Sequence, residues 1–244
     1  MIHPKARLDK TVVVGEGVVI EAGAQVGGGC RLGHGVVIRA GTRVGRNCRI
    51  DDYAVLGKTP SRGKISAIAR EKPLPPLRIG DGCKIGAHVV IYRGAVIGGE
   101  CLIADVAQVR EEVRIGAMTI VGRGAYVENK VSVGSKVKIE SHAYICALSE
   151  IGDGCFVAPG VIFTNDNFMG RTRERFKFHK GATLKKGARV GAHATLLPGI
   201  VLYEDAVAAA GSVVTRDVPA RTIVIGCPAR FFREVPENQL LKNQ

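Results

Sequence analysis

A large apolar residue recurs at every sixth position from Ile79 to Phe163. A period of six matches neither the 3.6-residue period of an amphipathic helix nor the alternation of an ordinary strand. Four residues after each anchor stands a small or compact β-branched residue, such as Cys83 or Ala95. The pattern therefore indicates a repeat architecture, with these anchors: Ile79, Ile85, Ile91, Ile97, Ile103, Val109, Ile115, Val121, Val127, Val133, Ile139, Ile145, Ile151, Val157 and Phe163.

One large and one small apolar position in every six residues is the pattern of the hexapeptide parallel β-helix, an all-β fold. Three hexads make one triangular coil, so residues eighteen apart stack in neighbouring coils. Each coil buries only a thin column of side chains, and stability must come from the stacking of many coils. The pattern leaves the handedness open, since parallel crossovers are usually right-handed.

Two interruptions divide the repeat into three runs. Anchors from Ile2 to Ile50 precede residues 57–77, which lose the period, gather prolines and become basic, so we expect them to form a loop. A second loop, residues 164–183, precedes a third run from Leu184 to Val214. The runs predict about ten coils, which at a strand spacing of ~4.8 Å give a prism about 50 Å long.

We expect one hexapeptide-repeat domain, residues 1–230, and a C-terminal tail, residues 231–244. Within the tail, Pro236 to Lys242 predict a short helix that caps the last open sheet edge. No apolar run approaches the ~20 residues needed to cross a bilayer. Because the repeat already begins at Ile2, where a signal peptide would stand, we expect a cytoplasmic protein without membrane contact.

The net charge of +13 is concentrated around the two loops. Residues 57–78 hold six basic residues against one glutamate, and residues 171–189 hold eight against one. The coils themselves are therefore nearly neutral. Five of the seven cysteines occupy the small inward position, where a thiol acts as a compact hydrophobe: Cys30, Cys48, Cys83, Cys101 and Cys155.

The most specific passage lies near the C-terminus. It reads Gly211-Ser212-Val213-Val214-Thr215-Arg216-Asp217-Val218-Pro219, followed by Gly226-Cys227-Pro228-Ala229-Arg230. Together with the repeat, it resembles the hexapeptide-repeat acyltransferases over residues 2–230, with Cys227 where that family often has Asn. The resemblance implies a left-handed β-helix, a homotrimer and transfer of an acyl group from coenzyme A, with acetyl-CoA as the expected donor. It also implies that this passage lies beside the pantetheine and adenosine of the coenzyme.

Within that family, the chain resembles enzymes that N-acetylate an amino sugar carried on a nucleoside diphosphate, for surface-glycan synthesis. The likeness rests on Val127-Glu128-Asn129, Glu140-Ser141-His142 and Phe163-Thr164-Asn165-Asp166. Those enzymes usually continue with two residues and Pro-Arg, whereas this chain reads Asn167-Phe168-Met169-Gly170-Arg171. The resemblance implies catalytic roles for His142 and Asn129 and these substrate contacts: Glu128, Glu140, Asn165, Asp166, Asn167 and Arg171.

Counting in steps of eighteen predicts two columns. Asn165 stacks over Ala147 and Asn129, a span of about 10 Å that a hexose could bridge. His142 stacks between Gly124 and Gly160, which leaves room for a ligand, and we expect the two columns to serve a common site. His142 is the best candidate for the base that takes the amine proton, because its unperturbed pKa is near neutral. A role limited to hydrogen bonding the substrate stays open.

Coenzyme A and a nucleotide sugar both carry phosphates, which Lys and Arg bind through charge-assisted hydrogen bonds. We assign residues 57–77 to the nucleotide sugar. To the coenzyme we assign Lys185, Lys186, Ala209, Ala210, Thr215, Arg216, Pro228 and Arg230.

Three other functions compete with this interpretation. The first is O-acyl transfer to a sugar or another small acceptor. The second is a zinc enzyme of the gamma carbonic anhydrase kind, but His88 and His142 stand three coils apart, about 14 Å, so we expect no metal. The third is a binding scaffold in which Phe168, Phe176 and Phe178 interleave with basic residues, as in single-strand binders. Because small phosphate-bearing ligands explain the same charge, we expect no nucleic-acid partner.

Overall fold

The chain folds into a stack of three-stranded coils. The structure is a computed structural model that describes residues 1–61, 63–64 and 73–244. Most strands are two residues long, and each pairs in parallel with the strand three places further on. The three resulting sheets, faces A, B and C, form a left-handed parallel β-helix. The predicted fold class is therefore confirmed.

Each face is one continuous sheet. Face A contains β3 (Val19–Ile20), β6 (Val37–Ile38), β9 (Val55–Lys58), β12 (Val90–Tyr92), β15 (Gln108–Val109), β18 (Tyr126–Val127), β21 (Tyr144–Ile145), β24 (Ile162–Phe163), β27 (Thr195–Leu196) and β30 (Val213–Val214). Face B contains β1 (Arg7–Leu8), β4 (Gln25–Val26), β7 (Arg43–Val44), β10 (Arg78–Ile79), β13 (Val96–Ile97), β16 (Arg114–Ile115), β19 (Ser132–Val133), β22 (Glu150–Ile151), β25 (Thr183–Leu184) and β28 (Val201–Leu202). Face C contains β2 (Val13–Val14), β5 (Arg31–Leu32), β8 (Arg49–Ile50), β11 (Lys84–Ile85), β14 (Leu102–Ile103), β17 (Ile120–Val121), β20 (Lys138–Ile139), β23 (Phe156–Val157), β26 (Arg189–Val190), β29 (Val207–Ala208), β31 (Thr222–Gly226) and β32 (Ala229–Glu234).

The chain visits the faces in the order A, B, C, and the turns between them form three corners, which we call AB, BC and CA. Isolated bridges from Ile2 to Ile20 and from Leu202 to Val218 extend the stack at its two ends. The stack is therefore slightly longer than the ten coils expected from the sequence.

The anchors and the small residues fill the interior. Each of the five predicted inward thiols donates a hydrogen bond to a carbonyl of the next coil, at 3.0–3.2 Å. Thr119 takes the same place in this column, and its Oγ1 donates to the carbonyl of Gly134 at 2.9 Å. The cysteines are thus packing residues that also bond one coil to the next.

Both predicted interruptions leave the coil. Of the first loop, Arg62 and residues 65–72 lie outside the described residues, so its assignment to the nucleotide sugar stays a prediction. The coil resumes with the buried Leu77. The second loop contains one short helix, α1 (Arg175–Phe178), and the coil resumes at β25.

The tail differs from its prediction. β31 and β32 form an antiparallel hairpin that carries face C past residue 230. Two 3₁₀ turns, Glu237–Gln239 and Leu241–Asn243, stand in place of the expected helix. Leu240 packs with Ile223 and Val235, and the backbone N–H of Leu241 donates to Asp205 Oδ1 at 2.9 Å. The first tail residues thus cover β31 at the end of face C, and the apolar residues after them pack lower on the prism.

Candidate functional site

Two asparagines mark the AB corner, where the chain turns out of face A. The side-chain amide of Asn165 donates to the carbonyl of Ala147 at 3.3 Å, so these residues stack as the counting predicts. The carbonyl of Asn129 accepts from Leu148 N at 3.4 Å, and the Asn129 residue is 6% exposed. Both asparagines therefore lie on one corner, two coils apart.

A buried ion cluster lies beside Asn129. Arg110 makes two bonds to Glu111, from Nε to Oε2 at 2.9 Å and from Nη2 to Oε1 at 3.3 Å, and a longer contact from Nη1 to Glu128 Oε2 at 3.5 Å. Glu111 is only 1% exposed. Burial raises the pKa of Glu128, and the charge of Glu111 raises it further, although Arg110 opposes both effects. One guanidinium thus serves two carboxylates.

The ring of Tyr92 and the thiol of Cys146 extend this cluster along face A. Arg110 and Lys58 both lie over the ring of Tyr92, at 4.9 and 5.4 Å from its centroid. Cys146 is buried, its Sγ lies 3.4 Å from Ser149 Oγ, and burial raises the pKa of its thiol to about 11. The thiol of Cys146 therefore stays protonated, so Cys146 lines the cluster and does not act as a nucleophile.

The sequence analysis missed Arg110 and Glu111, although a signal was present. The residue after most anchors of the central run is Gly or Ala, as at Gly98 and Ala104. After every third anchor it is larger, and these larger residues all lie on face A: Tyr92, Arg110, Glu128, Cys146 and Thr164. A scan at the eighteen-residue coil period would have found Arg110, and Glu111 is its neighbour in the chain.

The second loop folds around Asp166. Its carboxylate accepts from the N–H groups of Phe168 and Gly170, both at 2.9 Å, and lies 3.4 Å from Arg175 Nε and 3.6 Å from His179 Nε2. Desolvation acts to raise the pKa of Asp166, but these hydrogen bonds and the charge of Arg175 outweigh it and lower the pKa. Asp166 therefore shapes the loop.

The other two substrate candidates of this loop, Asn167 and Arg171, lie on its exposed surface. Glu140 follows β20 on face C, one turn before His142. These three residues do not join the cluster at the AB corner within one chain.

His142 lies at the CA corner with φ of 59°, and its side chain is exposed. Its ring covers Gly124, where an added Cβ would come within 2.8 Å of Nδ1 and Cε1. Gly160 follows in the next coil, and its N–H bonds the carbonyl of Ser141. The two predicted glycine neighbours are therefore in place.

His142 and the two asparagines do not meet in one chain. His142 precedes β21, whereas Asn129 and Asn165 follow β18 and β24, so they lie at opposite edges of face A. The common site expected for the two columns therefore does not form within one chain. Residues stack in one corner column only when their separation is a multiple of eighteen, and positions 129 and 142 are thirteen residues apart.

The coenzyme candidates also divide into two groups. Ala209 and Ala210 lie at the CA corner after β29, Thr215 and Arg216 follow β30, and Pro228 and Arg230 lie in the terminal hairpin: all belong to the last coils. Lys185 and Lys186 follow β25 at the BC corner. The structure therefore separates these two lysines from the rest of the group.

Within residues 1–61, 63–64 and 73–244, no three His, Cys, Asp or Glu side chains are grouped so that they could hold a metal ion. Over the same ranges, every helix is too short or too polar to span a membrane.

The repeats match known family models. The model described as bacterial transferase hexapeptide (six repeats) matches residues 11–46. The hexapeptide repeat of succinyl-transferase matches residues 76–104 and 186–216. Fold and repeats together define a parallel β-helix protein. The chain thus carries hexapeptide repeats of the kind that these transferase models describe, over the matched residues.

Curated relatives match a short part of the chain. A 2,3,4,5-tetrahydropyridine-2,6-dicarboxylate N-acetyltransferase of Staphylococcus aureus strain bovine RF122 / ET3-1 is 42% identical over 55 residues, which is 22% of this chain and 23% of the relative. The protein of that name from strain JH9 is 40% identical over the same length and the same shares. The match thus spans about a quarter of these relatives.

Solved structures show a similar architecture at low identity. A UDP-N-acetylglucosamine O-acyltransferase from Moraxella catarrhalis is 18% identical over 97% of this chain and 76% of its own, with a TM-score of 0.37. A hexapeptide-repeat acetyltransferase from Vibrio cholerae, complexed with acetyl coenzyme A, is 21% identical over 50% and 71%, with a TM-score of 0.42. At these values the likeness adds nothing to what the coils themselves show.

Proposed function

We propose that the chain is an acyltransferase that moves an acetyl group from acetyl-CoA to the amino group of a sugar carried on a nucleoside diphosphate. Acyl transfer is supported by the hexapeptide family models and by relatives named N-acetyltransferases. The sugar nucleotide comes from the resemblance of residues 127–129, 140–142 and 163–166 to enzymes of that class.

The observation that carries an amine acceptor is the carboxylate of Glu128 in the ion cluster at the AB corner. Glu111 takes the two shorter bonds of Arg110, and Glu128 is left with a contact of 3.5 Å. Lys58 balances the second carboxylate in the charge count, but a half-buried carboxylate with so long an ion-pair contact favours a cationic amino group over a neutral hydroxyl. Asn129 and Asn165 supply amide groups for the sugar hydroxyls.

We infer that the working site lies between two copies of the chain in a homotrimer. His142 stands on the same coil as Ala147, the residue between the two asparagines, but at the other edge of face A. Face A also exposes a ladder of Tyr126, Tyr144 and Ile162, each more than a third exposed, as an interface would. A neighbouring copy that packs on face A would bring its CA corner to this AB corner.

The reaction then needs few steps. The neutral amine attacks the thioester carbonyl, and the tetrahedral oxyanion forms beside N–H donors such as those of the CA corner. The C–N bond forms in this attack, and the C–S bond breaks when the tetrahedral intermediate collapses. The amine proton passes to His142 and on to the departing thiolate. Ala209, Ala210, Thr215, Arg216, Pro228 and Arg230 hold the coenzyme.

The test is thiol release from acetyl-CoA by the purified chain, across UDP- and dTDP-linked amino sugars with their hydroxyl analogues as controls. We expect release with one amino sugar. Release with a hydroxyl analogue instead would replace N-transfer by O-transfer. No release with any acceptor, and no acetyl-CoA binding, would sink the proposal.

His142 is tested in the same assay. We expect His142→Ala to lower turnover about 10²- to 10⁴-fold, the usual contribution of a general base, with acetyl-CoA affinity nearly unchanged. His193→Ala is a matched control, because His193 lies in the same corner column with φ of 55° and its ring covers Gly160. Unchanged turnover in His142→Ala would remove it as the base.

A further inference from the structure

A groove separates the C-terminal tail from the BC corner and face C, at the edge of face C away from His142. Its two adjoining parts enclose about 670 and 260 Å³ and share Gly154, Phe156, Leu241 and Gln244 as walls. We call it the tail groove. Cavities of this size hold small organic ligands. Of the residues assigned above to catalysis or to the coenzyme, Lys186 alone lines it, and Lys186 is separated from the others.

The tail groove has a positive charge. Four cations line it, Lys136, Lys138, Lys186 and Arg189, and within the described ranges none of them forms an ion pair. Two acids also line it, but each already accepts a backbone N–H: Asp153 from Ser135 at 2.7 Å and Asp205 from Leu241 at 2.9 Å. Four cations against two acids leave an excess of two positive charges.

Arg189 is the most informative of these cations. On face C, Arg189 pairs with Phe156 of the neighbouring strand, and Phe156 pairs in turn with Lys138. The Nε and Nη2 atoms of Arg189 are buried and have no hydrogen-bond partner in the part of the chain that the structure describes. Its Nη1 reaches only the side-chain oxygen of Gln239, at 3.4 Å. A buried donor without an acceptor costs free energy, and a charged one costs more, so this place lacks an anion.

We propose that the tail groove binds a phosphate-bearing anion, at a site separate from the acyl-transfer site. Arg189 at the back and Lys138 and Lys186 at the rim donate charge-assisted hydrogen bonds to its oxygens. The ring of Phe156 and the side chain of Leu241 give an apolar wall for an organic part. Gln239 moves aside when the anion reaches Arg189, because its 3.4 Å bond is weak.

The test is calorimetric titration of the full chain with inorganic pyrophosphate and, separately, with adenosine diphosphate. We expect one pyrophosphate site per chain that weakens at least tenfold in Arg189→Met and in Lys138→Met. Arg31→Met and Lys84→Met, at the same outward strand position on lower coils of face C, are the controls and should bind like the wild type. Tighter binding of adenosine diphosphate than of pyrophosphate identifies an organic phosphate, and equal binding identifies the phosphate groups alone.

The same titration can overturn the proposal. If the wild type binds no pyrophosphate, or if both groove variants bind it as the controls do, the tail groove is not an anion site. Folding is checked by thermal unfolding in phosphate-free buffer, where Arg189→Met should melt at or above the wild-type temperature because it removes an unpaired charge. Lys138 is exposed, so Lys138→Met keeps the test decisive if Arg189→Met fails to fold.

Discussion

Faces A and B use the same hexad position in opposite ways. After each anchor of the central coils, face B has glycine, at Gly80, Gly98, Gly116, Gly134 and Gly152. At the same position face A has Tyr92, Arg110, Glu128, Cys146 and Thr164. The interior is alike in both, since every hexad of the central coils buries its anchor. The difference therefore lies wholly in the outward residue.

Close approach of neighbouring coils explains face B. A Cβ on Gly116 would lie 2.5 Å from the carbonyl carbon of Gly134 and 2.6 Å from the nitrogen of Ser135. A Cβ on Gly98 would lie 2.7 Å from the nitrogen of Ala117. On face A the chain turns with room for a side chain. Chemistry can be built there without changing the coil, which is why the candidate site lies at that edge.

The largest effect on the free energy of unfolding is expected from Arg110→Met on face A. The change leaves Glu111, which is 1% exposed, without its cation, and breaking a buried pair costs about 3–5 kcal/mol. The loss should shrink as the pH falls, because a protonated carboxyl needs no counter-ion. Urea unfolding measures it, with the exposed Arg114→Met of face B as the control, expected within about 0.5 kcal/mol of wild type. An equal loss of unfolding free energy in both variants would mean that the ion pair on face A is no more buried than an exposed arginine on face B.

Gly116→Ala should have the next largest effect. Its new Cβ must push two coils apart, and overpacking of this kind costs about 1–3 kcal/mol. Gly63→Ala is the matched control, because no atom of the described residues lies within 4 Å of its added Cβ. The midpoints of urea unfolding compare the two. If Gly116→Ala is as stable as Gly63→Ala, close approach does not explain the glycines of face B.

Glu128→Gln should change the free energy of unfolding less than Arg110→Met or Gly116→Ala does, and the size of the change should depend on pH. The folded-state pKa of Glu128 is raised, chiefly by burial, so its contribution to stability is full at low pH and is lost as the pH rises through that pKa. Gln does not titrate, so the variant should gain relative to wild type as the pH rises. Urea-unfolding midpoints of the variant and the wild type, measured over the pH range in which carboxyl groups titrate, check this direction. A variant that loses stability relative to wild type as the pH rises contradicts it.

The same variant separates function from stability. Losing a charged hydrogen-bond partner costs about 1.5–3 kcal/mol, so turnover of an amino acceptor at low concentration should fall about ten- to a hundredfold. Glu150→Gln, an exposed glutamate on face B, is the control and should leave turnover unchanged. Equal turnover in the wild type and Glu128→Gln would remove the carboxylate from amine recognition.

The fold was predictable because the hexad pattern is local and repeats. The anchors, the inward cysteines and both loops could all be assigned by counting. Counting also stacked Asn165 over Ala147. It missed Arg110 and Glu111, because one hexad at a time they look like ordinary outward residues. The path of the tail could not be predicted by counting, because the tail is not periodic. Its position depends on the packing of Leu240 against Ile223 and Val235.

The smallest effect is expected inside the prism, where the faces do not differ. Cys101 donates from Sγ to the carbonyl of Gly116 at 3.1 Å, and Thr119 makes the equivalent bond one coil later. Cys101→Thr should therefore stay within about 1 kcal/mol of wild type, because a hydroxyl replaces the thiol as donor at similar volume. Cys101→Val keeps the size but removes the donor, and should lose about 1 kcal/mol, the net worth of one hydrogen bond. Val137 already occupies this column, so Val is accommodated. Urea unfolding that ranks Val above Thr would show that the column needs only volume, and that the thiols do not bond the coils together.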